Sequence, residues 1–213
     1  MRTSTRWSLG ALAVAVALIA ALAAEVGRDG PGPPAGPQAA TGQVHRAADT
    51  PQALAGPRQR AGLPPCPDGR GGPGPAELRG VVVECAADGA AVEVARALAG
   101  RTVVLNLWAY WCTPCAEELP ALAGYQARVG DAVTVVTVHQ DPNEAAGLLR
   151  MAELGVRLPM LQDGRREIAA ALGVPNVMPA TVVLRSDGGV AAILPREFTS
   201  ADEIAAAVEA ALR

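Results

Sequence analysis

Lysine is absent from the 213 residues, and all 18 basic side chains are arginine. Against 21 acidic residues this leaves a formal net charge of −3, with none of the basic surplus that draws a protein to nucleic acid. Alanine is abundant instead, and the two biases together read as a property of the coding sequence with no functional weight. Histidine is confined to two positions, His45 and His139, and cysteine to four. The Cys-x-x-Cys at Cys112 and Cys115 has no second such pair, and no His pair, to complete a four-ligand structural zinc site. No metal or organic cofactor is implied.

What is present divides the chain in three, with room for one domain of about 150 residues plus appendages. Residues 1–24 read as a targeting segment, either a signal peptide or a signal anchor. Arg2 and Arg6 supply a basic start, an uncharged apolar run follows, and Ala21-Leu22-Ala23 offers a small-x-small cleavage site. The uncharged stretch is just long enough to span a membrane, so cleavage and retention as an N-terminal membrane anchor both stay open. No cysteine follows closely, which excludes a lipid-modified anchor. Either outcome is extracytoplasmic. Residues 25–65 are rich in Pro, Gly and Ala, lack periodicity and lack bulky apolar residues, and so read as a linker in which His45 is solvated. The folded domain is expected over residues 66–213.

Within it, Val103-Val104-Leu105-Asn106-Leu107-Trp108 is an apolar run of strand length, and Ala109-Tyr110-Trp111 leads directly into Cys112-Thr113-Pro114-Cys115. The following Ala116-Glu117-Glu118-Leu119 has helix-forming composition. A strand, a short turn, Cys-x-x-Cys and a helix together point to a redox-active thiol pair. The chemistry needs two thiols close enough to close a small ring, one of them reactive at neutral pH. A cysteine at a helix N-terminus satisfies this, because unpaired backbone N–H groups and the helix dipole favour thiolate. Two inert buried cysteines would leave Pro114 unexplained.

The run Asn106 to Cys115, followed by Glu118-Leu119-Pro120, resembles the TlpA/ResA-like group of exported, thioredoxin-fold thiol–disulfide oxidoreductases, and the likeness extends over about residues 66–213. The resemblance implies an α/β fold, a thioredoxin-like three-layer α/β/α sandwich with the group's central insertion. It implies Cys112 as attacking nucleophile, Cys115 as resolving thiol and Glu118 as an acidic residue near the thiols. It implies a cis-proline at Pro179, opening the strand at residues 180–184 and facing the cysteine pair. Trp111, Thr113, Pro114, Met178 and Pro179 would line the groove for a partner chain; Met178 departs from the threonine common at that position. Disulfide-containing exported proteins would be the substrates, and a membrane thiol-transporter the electron donor. A disulfide-introducing oxidase and a non-catalytic metal carrier using Cys112 and Cys115 as soft ligands remain as alternatives.

Around this centre, short strands are expected at residues 78–85 and 91–94, a strand at 132–138, a helix at 142–154 capped by Asp141, a short strand near 159–161 and a helix at 165–172. A hairpin through Ser186-Asp187-Gly188-Gly189 and a final helix opened by the capping box Ser200 to Glu203 follow. His139, at a strand end, is either a proton shuttle or an ordinary loop histidine. With Cys112 paired to Cys115, Cys66 and Cys85 are left to form a structural disulfide in an exported chain, or else a second redox pair relaying electrons. Replacing both Cys66 and Cys85 by Ala is expected to lower the unfolding free energy by about 3 kcal/mol, measured by urea denaturation, with turnover preserved at a permissive temperature. A stable but inactive variant would establish the relay instead.

Overall fold

The computed structural model describes residues 46–213; the expected targeting segment, the first part of the expected linker and His45 lie outside the described residues. The remainder of that linker is not structureless. Pro51–Ala61 forms α1, with Thr50 as N-cap accepting from the Ala53 amide, Pro51 in the first turn and Gly62 closing the helix at φ 53°. Thr, Pro and Gly stand where helix start and stop chemistry requires them. The expectation of a linker up to residue 65 is therefore corrected: Leu54 and Ala61 are buried in the core, and a handful of apolar anchors suffices when a tertiary surface receives them.

A 3-10 turn, Ala76–Leu78, precedes β1 (Val82–Cys85). The strand expected from residue 78 starts later because Gly80 sits at φ 79°, outside the strand region. The chain continues through β2 (Ala91–Glu93), a single helical turn α2 (Val94–Ala97), β3 (Val103–Trp108) and α3 (Thr113–Val129). Next come β4 (Thr134–His139), α4 (Glu144–Glu153), β5 (Met160–Gln162), α5 (Glu167–Leu172), β6 (Ala180–Leu184), β7 (Val190–Leu194) and α6 (Ala201–Leu212). The strands form one sheet in the order β2-β1-β5-β4-β3-β6-β7. At its centre β3 runs parallel to β4 and antiparallel to β6, so the end of β3 meets the start of β6, with Leu107 opposite Ala180.

Every residue of β3 is buried, as a strand covered on both faces must be. Val104 and Trp108 join one core with Leu119 and Leu122 of α3, Leu148 and Met151 of α4, Ile204 and Val208 of α6, and Leu54 of α1. Val103, Leu105 and Leu107 join the other with Leu98, beside α2, and Ile168 and Leu172 of α5. Helices cover both faces, giving three layers. The central insertion is α4 with β5, and β5 pairs in parallel with β4 and antiparallel with β1. The helix α3 continues through Pro120 without interruption. Of the capping box expected at α6, Ser200 Oγ accepts from the Glu203 amide, whereas Glu203 Oε2 reaches back one residue further and accepts from the Thr199 amide.

Two clamps hold α1 against α4. Arg58 bridges Glu84 of β1 at 2.6 Å and Glu144 of α4 at 2.9 Å, and Asp49 Oδ2 accepts from the Glu144 amide at 3.0 Å. The Cys66–Cys85 disulfide then ties the segment after α1 to the end of β1. Leu54→Ala should cost about 2–4 kcal/mol in urea unfolding, as for a core leucine, whereas a linker residue would change stability by less than about 0.5 kcal/mol.

Candidate active site at the start of α3

Between β3 and α3 the chain turns through residues 109–112, closed by the Cys112 amide donating to the Ala109 carbonyl at 3.0 Å. Cys112 is the N-cap of the 17-residue helix α3, and its Sγ accepts from the Cys115 amide at 3.3 Å. Cys112 and Cys115 are joined by a disulfide, so the structure shows the oxidised pair. Cys115 is fully buried, and Cys112 keeps 6% of its surface. Of the two sulfur-bearing residues, Cys112 alone keeps any surface open to an approaching group.

The Met178–Pro179 peptide is cis, and Pro179 is buried immediately before β6, whose Ala180 lies opposite Leu107 in β3. Trp111, at 57% exposure, and Val177, at 43%, are the large apolar side chains left open among the described residues. They stand in the turns that carry Cys112 and Pro179. Thr113 is exposed; Pro114 and Met178 are half-buried.

Glu118 has no exposed surface. It lies one turn beyond Cys115 on α3, where side chains three apart share a face. Asn106 Nδ2 donates to Glu118 Oε2 at 2.7 Å, and the Phe198 amide donates to Oε1 at 3.1 Å. Burial outweighs these two hydrogen bonds and pushes the Glu118 carboxyl up to about 7. A carboxyl held there exchanges its proton near neutral pH.

His139 takes neither a catalytic position nor a solvated one. Its ring is fully buried, 4.9 Å from the Trp108 ring, and burial lowers its pKa to about 4. The Tyr110 amide donates to Nε2 at 3.3 Å, and Nδ1 lies 2.9 Å from Gln162 Oε1. Both nitrogens are thus engaged in the neutral ring, and the proton-shuttle expectation is corrected: a charged imidazole here would face the Tyr110 N–H with a second donor. No cluster of three or more metal-ligating side chains occurs among the described residues.

The profile of the Redoxin family matches residues 65–208, more than half of the chain. The chain belongs to the Redoxin family. Its relatives include thiol-disulfide oxidoreductase ResA of Bacillus subtilis (strain 168), 30% identical over 103 residues that make up 48% of this chain and 57% of ResA. Thioredoxin-like protein YneN of the same organism is 45% identical over 40 residues, 19% of this chain and 24% of that protein. The chain spans about half the length, or less, of the curated relatives it matches. Among solved structures, MTB DsbF is 27% identical with a TM-score of 0.57, covering 64% of this chain and 98% of that one. A secreted Mycobacterium tuberculosis disulfide oxidoreductase homologous to E. coli DsbE is 26% identical with a TM-score of 0.54, covering 63% and 97%. As a Redoxin-family member of the ResA-like kind, the chain has the thioredoxin-like arrangement of a mixed sheet with flanking helices.

Two residues of this Redoxin site escape sequence reasoning in their true roles. Asp141 does not cap α4; Asn143 does, accepting from the Ala146 amide. Asp-Pro-Asn-Glu offers two caps, and Asp141 is engaged elsewhere: its Oδ2 accepts from Trp111 Nε1 at 2.9 Å and its Oδ1 from the Asn143 amide at 2.8 Å. Gln162, fully buried at the end of β5, carried no sequence signal at all.

The raised pKa of Glu118 makes its proton part of the folding equilibrium. Its favourable contribution is complete below about pH 4.5, the unperturbed value, and is lost as pH rises through the folded value near 7. Glu118→Gln cannot titrate, so its stability relative to the parent should improve across that window by up to about 3 kcal/mol. Urea denaturation of both proteins at half-unit pH steps measures the difference; a constant offset would leave Glu118 ionised throughout.

Proposed function

We propose that this Redoxin-family chain is an extracytoplasmic thiol–disulfide oxidoreductase that reduces disulfides in exported partner proteins. The observation that carries the reading is the thiol pair itself: Cys112 caps α3 and keeps a sliver of exposure, Cys115 is sealed beneath it, and Glu118 sits buried one turn on. In the reduced protein the Cys112 thiolate attacks one sulfur of the partner disulfide and forms a mixed disulfide, expelling the other sulfur as a thiolate that takes up a proton. Cys115, its proton passed to Glu118, then attacks Cys112 Sγ and releases the second partner thiol. Two electrons pass to the partner, and the Cys112–Cys115 bond is formed. Trp111, Thr113, Pro114, Val177, Met178 and Pro179 border the groove a partner chain would occupy.

Resetting the site requires a two-electron thiol donor, for which a membrane thiol-transporter is the proposed source. Export rests on the apolar residues 9–24 behind Arg2 and Arg6, and is supported by the secreted Mycobacterium tuberculosis relative. Among the described residues no helix is long and apolar enough to cross a membrane. Maturation of cytochrome c is one role such a reductase would fill.

One observation favours the opposite direction. Cys112 at the N-cap of a long helix, accepting the Cys115 N–H, stabilises thiolate and therefore an oxidising couple. The buried Glu118, when ionised, opposes a second negative charge nearby and favours reduction. The reductase reading expects a reduction potential near −270 mV, the thioredoxin value, and a potential above about −170 mV would make the protein an oxidase. Trapping tests the division of labour independently. Cys115→Ser should accumulate mixed disulfides with exported proteins and Cys112→Ser should accumulate none, as read on non-reducing gels. The reverse pattern would exchange the two roles.

A further inference from the structure

The pair His139 and Gln162 is buried, polar and unused by the chemistry above. Burying an imidazole and a carboxamide is unfavourable unless each polar atom is matched, and an apolar pair would fill the same core at less cost. What the pair does touch is the turn before Cys112. The Tyr110 amide donates to His139 Nε2 at 3.3 Å, so the ring proton lies on Nδ1, which faces Gln162 Oε1 at 2.9 Å. This orients the Gln162 carboxamide, whose Nε2 donates to the Asp141 carbonyl at 2.7 Å. The Asp141 carboxylate in turn accepts from Trp111 Nε1 at 2.9 Å. Four hydrogen bonds therefore run from the backbone of Tyr110 through two buried side chains and back to the indole of Trp111. The packing is built around the ring: a Cβ on Gly147 of α4 would lie 2.8 Å from His139 Cε1.

We propose that His139 and Gln162 are positioning residues that lock the Tyr110–Trp111 turn, and through it Cys112, in the geometry for attack on a partner disulfide. The inference rests on the thiol–disulfide reading above. Without the pair, the Tyr110 N–H and the Asp141 carbonyl both lose their partners. The turn then relaxes to find others, carrying the exposed indole and Cys112 with it. His139 acts only through backbone and indole and touches no reacting atom.

Three variants of the full chain test this, each reduced with dithiothreitol, freed of it and mixed with oxidised glutathione as the disulfide probe. His139→Gln carries a carboxamide oxygen where Nε2 stood and still accepts from Tyr110. His139→Asn places its amide toward Gln162 and leaves the Tyr110 N–H unpaired. Gln162→Met keeps the volume and removes both polar contacts. Attack by Cys112 should stay within about threefold of the parent in His139→Gln and fall about tenfold in the other two, the worth of one buried hydrogen bond. Hydrogen exchange at the Tyr110 amide, measured against the amides of β3, should keep its protection in His139→Gln, lose it in His139→Asn and fall between the two in Gln162→Met, where His139 Nε2 still faces the amide but its ring is no longer held. Equal losses of attack in all three variants, or unchanged Tyr110 protection in His139→Asn, would reduce the pair to core packing and overturn the proposal. Should His139→Asn fail to fold, a rate of attack in Gln162→Met equal to that of the parent would overturn the proposal in its place. A parent protein that does not react with the disulfide would defeat the oxidoreductase reading, and the Tyr110 exchange data would then judge the positioning alone.

Discussion

The helix α3 must begin at Cys112 and nowhere else, and the rest of the structure serves that constraint. Were the helix to start later, the sulfur would lose the free N–H groups that lower the energy of a thiolate. The start is held from three sides. Beneath it, Trp108 ends a fully buried strand. Along the chain, the Cys112 amide closes the turn on Ala109. From the neighbouring strands, His139 accepts from the Tyr110 amide and is itself held by Gln162. The parallel pairing of β4 with both β3 and β5 lines up the three strand ends that make this possible.

Much of this was legible in the sequence, and the reasons differ from residue to residue. β3 and α3 carry local signals, an apolar run and a helix start, that do not depend on distant partners. Ser200 and Glu203 likewise announce α6 through chemistry confined to one turn. The disulfide of Cys66 with Cys85 followed from the motif that occupied the other two thiols.

What was not legible depends on surfaces remote in sequence. α1 hides among Gly, Pro and Arg because only Leu54 and Ala61 are buried, and its anchor, Arg58, finds Glu84 and Glu144 in elements far along the chain. The burial of His139 is decided by the missing Cβ of Gly147 and by Trp108, neither of which marks His139 locally. Glu118 was expected near the thiols, but its neutral-range pKa arises from burial, which outweighs the opposing hydrogen bonds from Asn106 and the Phe198 amide. Asp141 went to the indole rather than to the helix because the tertiary partner outcompeted the local one.

The opposed fates of Glu118 and His139 have a consequence for the chain's proton inventory. On folding, the carboxyl takes up a proton wherever pH lies between its unfolded value of 4.5 and its folded value near 7. The imidazole gives one up wherever pH lies between its folded value near 4 and its unfolded value of 6.5. Over the shared interval the two exchanges cancel, so these residues make folding nearly proton-neutral. A mildly acid medium can therefore vary without pulling this part of the fold either way. Above that interval Glu118 acts unopposed, and of the two groups its carboxyl alone still couples the fold to the pH of its surroundings.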